Sequence, residues 1–164
     1  MTLSLLLTSC GLRAVYSNKY TELKANNPLN AIDIEPIGSI DGTEFYHHLS
    51  TLLPRTTTAQ YLLKVQFSNV SVPSAFQKNS DVMREITNQS IQYWLFDLKT
   101  NKELTSGKFK QMTSYSTMFS PYAAYVENEG ALEDLTKHSA EEVRSRLILY
   151  FENNKKHEVL PITN

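Results

Sequence analysis

The sequence predicts an α+β domain in which two helices pack on one face of a roughly four-stranded, mostly antiparallel sheet, in the order β-α-β-β-β-α. Long stretches of alternating apolar residues at 61–72, 84–98 and 104–115 predict strands, and apolar stripes of helical spacing at 41–53 and 128–151 predict helices. A hydrophobic fraction of 41% with 20% charged residues in 164 residues is typical of a single globular domain.

The first strand and the first helix are predicted from local signals. Residues 31–36 alternate between apolar and polar, which indicates a short strand. Asp41 and Glu44 have the spacing of a capping box, so the helix is predicted to begin at Asp41, and Pro54 is predicted to end it. Its apolar face would carry four residues, Phe45, Leu49, Leu52 and Leu53.

The longer strands raise the question of what covers the sheet. In residues 61–72 the apolar positions change phase at Val70 and Val72, which indicates a β-bulge near Asn69. Residues 84–98 and 104–115 are predicted to form a hairpin around residues 99–102. The third strand is apolar on both faces, because Ile91, Tyr93 and Leu95 alternate with Trp94, Phe96 and Leu98. The second face therefore needs cover, from either the 117–127 loop or another protein.

The last helix is predicted to follow an aromatic loop at residues 119–125. Asn128 would cap it, and it would end near Phe151. Residues 1–9 are predicted to be the remnant of a lipoprotein signal peptide and residues 10–30 a lipidated tether. The domain then occupies 31–152, and 153–164 form a flexible tail.

The N-terminus carries a lipoprotein-like pattern. An apolar run is followed by Thr8, Ser9 and Cys10, the only cysteine of the chain. Signal peptidases cut before such a cysteine, and its thiol carries the diacylglycerol. Residues 1–9 contain no Lys or Arg, so the true start is expected upstream of Met1. The alternative is a soluble protein with an incidental cysteine.

The titratable residues do not predict catalysis. No acid or cysteine accompanies the four histidines at ligand spacing, so we expect no metal, no cofactor and no enzyme activity. The net charge of −1 does not favour nucleic acid as a partner. Three strand cations, Arg84, Lys108 and Lys110, are candidates for binding an anion, although they could equally keep a sheet edge soluble.

Several short motifs in order carry a family resemblance. They are Cys10-Gly-Leu-Arg-Ala-Val-Tyr16, Arg84, Tyr93-Trp-Leu-Phe-Asp97, Leu104, Gly107, Ser114-Tyr115, and Ala140, Arg144-Ser-Arg-Leu147 and Tyr150-Phe151. The sequence resembles the LPS-assembly lipoprotein LptE family, particularly its shorter alphaproteobacterial-type members. The resemblance implies a lipid-anchored plug on the periplasmic side of the outer membrane. It would sit in the LptD β-barrel, help to assemble that barrel and assist lipopolysaccharide delivery to the cell surface.

The resemblance implies a binding role for each of two sets of residues. The second sheet face with its aromatic neighbours, namely Trp94, Phe96, Phe119, Tyr122 and Tyr125, is expected to contact the barrel. Arg84, Lys108 and Lys110 are expected to meet the phosphates and acidic sugars of lipopolysaccharide. The competing hypothesis is an auxiliary lipoprotein of an ABC-type lipid transporter, which also follows a lipobox with a small α+β domain.

Overall fold

A computed structural model describes residues 27–55, 58–76, 82–117 and 120–158. A 3-10 turn, Pro28–Ala31, leads into β1 (Ile32–Ile34), followed by α1 (Ile40–Leu52), β2 (Tyr61–Phe76), β3 (Val82–Asp97), β4 (Glu103–Ser116) and α2 (Pro121–Glu158). The strands lie in the order β1-β2-β3-β4. β1 runs parallel to β2, and the other two pairs are antiparallel. The predicted α+β class with its element order is confirmed.

The N-cap of helix α1 lies two residues before the predicted capping residue. Ser39 is the N-cap, because its extended backbone lets its Oγ accept a hydrogen bond from the Gly42 N–H at 3.0 Å. The prediction that Asp41 caps the helix is wrong, since Asp41 lies in the first turn and accepts instead from Asn69 Nδ2. The predicted end is confirmed: α1 finishes at Leu52, just before Pro54.

The bulge predicted near Asn69 is also wrong. Pairing between β2 and β3 is regular from Tyr61 to Pro73, and the register shifts only after Pro73. Val70 and Val72 pair with Asn88 and Ile86 and lie on the face turned away from the helices, so the change of phase marks a change of face without an inserted residue. Proline has no N–H to donate, which explains why the irregularity lies beside Pro73.

The β3–β4 hairpin has its turn where it was predicted, although it contains no glycine. Asp97 Oδ1 accepts hydrogen bonds from the main-chain N–H groups of Lys99 and Thr100, at 2.9 and 2.8 Å. These bonds and the nearby Lys99 charge stabilise the carboxylate, and the bonds from Thr100 contribute most to lowering the Asp97 pKa. Asn101 adopts the left-handed conformation, with φ at 53°, that glycine would otherwise supply.

Helix α2 is longer than predicted at both ends. It begins at Pro121 and ends at Glu158, so Tyr122 and Tyr125 lie on its first turns and Asn128 lies inside it. Proline suits the first turn of a helix because its missing N–H would have no partner there. The prediction of an aromatic loop over 119–125 is therefore wrong from residue 121 onward. Met118 and Phe119 lie outside the described residues.

Both helices pack on the same face of the sheet, where the core divides into two regions. The first region, which we call the packed end, is the apolar cluster of α1, β1, the start of β2 and the C-terminal halves of β3 and α2. Its fully buried members include Phe45, Leu49, Leu63, Leu95 and Leu147. The second region, which we call the polar end, lies under the N-terminal half of α2, and its buried polar side chains are Thr87, Gln89, Thr136 and Ser139.

Candidate functional site

The sheet face opposite the helices is the candidate site, and we call it the open face. Even-numbered residues of β3 point to it, because Ile91, Tyr93 and Leu95 are buried against the helices and side chains alternate along a strand. Strand pairing then adds the neighbouring residues on the same face. From the packed end these rows are Lys64–Trp94–Ser106, Gln66–Gln92–Lys108, Ser68–Ser90–Lys110, Val70–Asn88–Met112 and Val72–Ile86–Ser114.

The aromatic end of the open face lies next to the β3–β4 turn. Trp94 and Phe96 are half-buried there, although no described element covers them. The Lys64 ammonium lies 5.9 Å from the centroid of the Phe96 ring and 3.1 Å from Glu35 Oε2. Lys64 thus contacts both the aromatic end and the Glu35 carboxylate. This residue was not predicted, because the candidate cations lay on β3, β4 and the turn between them.

The centre of the open face is polar and positively charged. Lys108 stands opposite Gln92, and Lys110 stands opposite Ser90. Both lysines are exposed, and the structure gives neither an acidic partner among the described residues. The predicted pair therefore projects from one face, as its spacing indicated.

Arg84, the third predicted cation, is separated from these lysines. Arg84 also lies on the open face, where it pairs with Ser116. It is six residues along β3 from Ser90, the residue that pairs with Lys110. At about 3.3 Å per residue this places it roughly 20 Å from Lys110, so one phosphate group cannot contact both. The structure groups Lys108 with Lys110 and leaves Arg84 at the far end of the sheet.

The far end of the open face is apolar. Val70, Val72 and Met112 are 58%, 42% and 70% exposed, and the half-buried Ile86 lies between them. The sequence analysis noted the valines only as a change of phase and did not assign them a surface. The alternation of Val70 and Val72 with the polar residues of β2 was the signal that could have identified this patch.

The predicted contact residues do not form one surface. Tyr122 and Tyr125, which are 78% and 57% exposed, lie on α2 at the polar end. Trp94 and Phe96 lie on the open face next to the β3–β4 turn. Phe119 is outside the described residues. The Tyr125 hydroxyl donates to Glu129, which raises the pKa of Tyr125.

The described residues do not assemble a metal centre. Among residues 27–55, 58–76, 82–117 and 120–158, no three His, Cys, Asp or Glu side chains lie close enough to hold a metal ion. Likewise, no helix in this part of the chain combines the length and hydropathy needed to cross a bilayer. What the open face offers is a binding surface of alternating apolar and cationic zones.

The fold defines the class of protein: a two-helix α+β domain with one sheet face that no described element covers. The chain belongs to the same family as the uncharacterized protein RP188 of Rickettsia prowazekii. The two are 48% identical over 146 residues, which cover 89% of this chain and 91% of the relative. No protein-family model matches the sequence.

Solved structures with the same fold come from bacteria. A protein described as a lipoprotein from Caulobacter crescentus has a TM-score of 0.61 at 18% identity, over 75% of this chain and 92% of that one. The rare lipoprotein B of Shewanella oneidensis has a TM-score of 0.59 at 11% identity, over 76% of this chain and 97% of that one. An uncharacterized lipoprotein B from Nitrosomonas europaea has a TM-score of 0.58 at 15% identity, over 77% of this chain and 85% of that one. At these identities the likeness is one of fold.

Proposed function

We propose that this protein is a lipoprotein anchored through Cys10 to the periplasmic side of the outer membrane. It acts there as a non-enzymatic plug and assembly factor of an LptD-type β-barrel in lipopolysaccharide transport. The observation that carries the proposal is the open face, whose lysine centre lies between an aromatic end and an aliphatic end. The proposal requires no cofactor or metal.

The lipid anchor rests on the sequence around Cys10, which lies outside the described residues. Thr8, Ser9 and Gly11 around the cysteine match a lipobox, and proteins that share this fold are described as lipoproteins. Cys10→Ala should abolish labelling by radioactive palmitate in cells, whereas Lys108→Ala should leave it intact. Labelling that persists in Cys10→Ala would contradict the anchor, since no other cysteine is present.

The chemistry of the open face suits a lipid that joins phosphate to acyl chains. Lys108 and Lys110 provide two cations on one face, and charge-assisted bonds to phosphate are among the stronger hydrogen bonds in proteins. Met112 and Val70 continue the surface on one side of the lysines, where acyl chains would lose contact with water. The remaining polar groups of the centre, Gln92 and Ser90, can donate to sugar hydroxyls.

Binding of purified lipopolysaccharide tests this part of the proposal. Replacing both Lys108 and Lys110 by Ser should lower its affinity by about tenfold or more. The matched control replaces Lys99 and Lys102 by Ser, because it removes the same charge at the hairpin turn. An equal loss of affinity in both double variants would mean that only the net charge of the protein matters. Binding of phosphatidylglycerol vesicles as tightly as lipopolysaccharide would exclude a site specific for lipopolysaccharide.

A substitution at the aromatic end of the open face tests the proposed binding to the barrel. Trp94 points away from the helices, so Trp94→Asp should preserve the circular dichroism spectrum while lowering recovery of the barrel protein from detergent-solubilised membranes. Leu149→Asp, at an exposed position of α2, is the control expected to leave recovery unchanged. Recovery of inner-membrane transporter subunits in place of the barrel would support the ABC-transporter hypothesis instead.

A further inference from the structure

The edge of β2 offers a second interaction site, which adjoins the open face. β1 pairs only with residues 61–63 of β2, and β2 has no other described neighbour on that side. The unpaired stretch runs from Val65 to Ser71, before the register shifts after Pro73. At about 3.3 Å per residue it is an open edge of roughly 20 Å.

The main-chain groups of this edge point outward at every second residue. Leu63 C=O accepts from the Glu35 N–H at 2.9 Å, so the odd-numbered residues of β2 face the β1 side. Further along the strand these residues are Val65, Phe67, Asn69 and Ser71. None of their N–H and C=O groups has a main-chain partner among the described residues. Such a ladder is complementary to an extended polypeptide.

The composition of β2 does not protect this edge, in contrast to β4. Residues 65–76 contain no charged side chain. The other edge strand, β4, carries Glu103, Lys108 and Lys110, and charges of this kind disfavour edge-to-edge pairing. Pro73 has no N–H to donate, so it ends the stretch that can pair, but residues 65–71 lie before it. A long uncharged edge is therefore left available for pairing.

Apolar groups flank the edge on both sides. Ile40, at the start of α1, is 91% exposed. Next to it a groove of about 390 Å³ separates the segment at Ile37 from β2 and is also lined by Trp94. The side chains of an added strand would alternate between the α1 side and the open face, where Val70 lies. The occupant should accordingly have apolar residues at alternate positions.

The charge beside the edge argues against a second copy of the chain. The exposed Asp41 carboxylate lies at Asn69, whose amide donates to it at 2.9 Å. Antiparallel pairing of two β2 edges about Ser68 would bring the two Asp41 carboxylates towards each other, which costs energy. The nearby Glu35 is already paired with Lys64, so Asp41 is the charge that an occupant has to match.

We propose that residues 65–71 of β2 pair with an extended segment of another polypeptide. This segment has apolar residues at alternate positions and a Lys or Arg next to Asp41. Pairing adds a fifth strand to the sheet and leaves Lys108 and Lys110 of the open face accessible. The inference depends on neither the lipid nor the barrel of the proposed function.

A peptide titration tests the edge directly. The probe is an eight-residue peptide of alternating valine and threonine with one terminal lysine, added to the 15N-labelled full chain in detergent solution. We expect resonance shifts at the amides of Val65, Phe67, Asn69 and Ser71, and hydrogen exchange there slowed about tenfold at saturation. Shifts confined to β4 or to the side chains of the open face would overturn the proposal, as would an absence of binding.

Matched variants separate edge pairing from binding to the face. Ser68→Lys and Ser106→Lys place the same charge at exposed open-face positions of the two edge strands. We expect Ser68→Lys to weaken the peptide about tenfold and Ser106→Lys to change its affinity less than about twofold. Asp41→Asn should weaken the lysine peptide but not its threonine-substituted analogue. Equal losses in the two lysine variants, or a dimer in sedimentation that excludes the peptide, would contradict the proposal.

Discussion

The two ends of the helix–sheet interface are held together by different forces. At the packed end, Phe45, Leu49 and Leu147 are completely buried among other apolar side chains. At the polar end, the Ser139 hydroxyl donates to Gln89 Oε1, and Gln89 Nε2 donates to Thr136 Oγ1 at 3.3 Å. Apolar burial is non-directional, whereas hydrogen bonds require one geometry. We infer that the packed end supplies most of the stability and the polar end fixes the position of α2 along the sheet.

The largest expected effect is the loss of a buried side chain at the packed end. Leu147→Ala should lower the free energy of unfolding by about 3 kcal/mol, because it removes apolar burial and leaves a cavity. Leu149→Ala, two residues along the same helix and 57% exposed, should change it by less than about 0.5 kcal/mol. Urea unfolding of both variants measures the difference, and similar midpoints would mean that the packed end is not the source of stability.

Overpacking at the β4 side of the packed end should have a smaller effect. A Cβ added at Gly107 would lie 2.7 Å from the Tyr93 ring, and Tyr93 is only 4% exposed and cannot easily move. Gly107→Ala should therefore lower the free energy of unfolding by about 2 kcal/mol. Gly130→Ala is the control, because its Cβ would meet no atom within 4 Å and alanine favours a helix. Thermal unfolding that shifts equally in both variants would contradict this packing.

The polar end should show coupling between its side chains. Ser139→Ala leaves Gln89 without its donor, and we expect a loss of about 1.5 kcal/mol in the free energy of unfolding. Combining it with Gln89→Leu should cost less than the sum of the two single changes, since the double variant no longer contains the Gln89 amide that Ser139→Ala leaves without a donor. A double-mutant cycle in urea measures this coupling, and strict additivity would exclude a cooperative network.

The smallest expected effect of a substitution is at Tyr115 of the polar end, and it is accompanied by a pH dependence. Tyr115 donates its hydroxyl to Glu85, and burial with this neighbour raises the pKa of Tyr115 to about 12. The folded protein then holds the proton more tightly than the unfolded chain, whose tyrosines titrate near 10. Stability should therefore be undiminished below pH 10 and fall between pH 10 and about 12.

The matched variant removes only the hydroxyl. Tyr115→Phe should cost about 1 kcal/mol at neutral pH through the lost hydrogen bond, and it should flatten the decline of stability above pH 10. Unfolding midpoints collected from pH 8 to pH 12 provide the measurement. A decline of the same steepness in wild type and variant would assign it to other groups.

Sequence reasoning succeeded where a side chain acts on its own neighbours in the chain. Pro54 ends α1, and the alternation of apolar residues in β3 identified its buried face. It failed at Asp41, because Ser39 had the extended backbone that a cap requires and Asp41 found a partner 28 residues away. It failed also at Tyr122, which was predicted to lie in a loop. The composition of this segment is typical of a loop, but α2 begins at Pro121 and includes Tyr122.

The candidate site was predicted only in part, for a related reason. The two-residue spacing of Lys108 and Lys110 already placed them on one face. The position of Arg84, about 20 Å away, and the role of Lys64 beside Phe96 depended on strand register. A shift by one residue would have sent each of these side chains to the opposite face.

The element order, the hairpin turn and the strand that is apolar on both faces could be predicted from the sequence, because they follow from contacts and periodicities within a few residues. Long-range packing decided that both helices lie on one side of the sheet, that the Ser139–Gln89 hydrogen bond holds α2 against β3, and that no described residue covers one face and one edge of the sheet. Those outcomes depend on pairings between residues far apart in the chain, and their energies arise only once the sheet has formed.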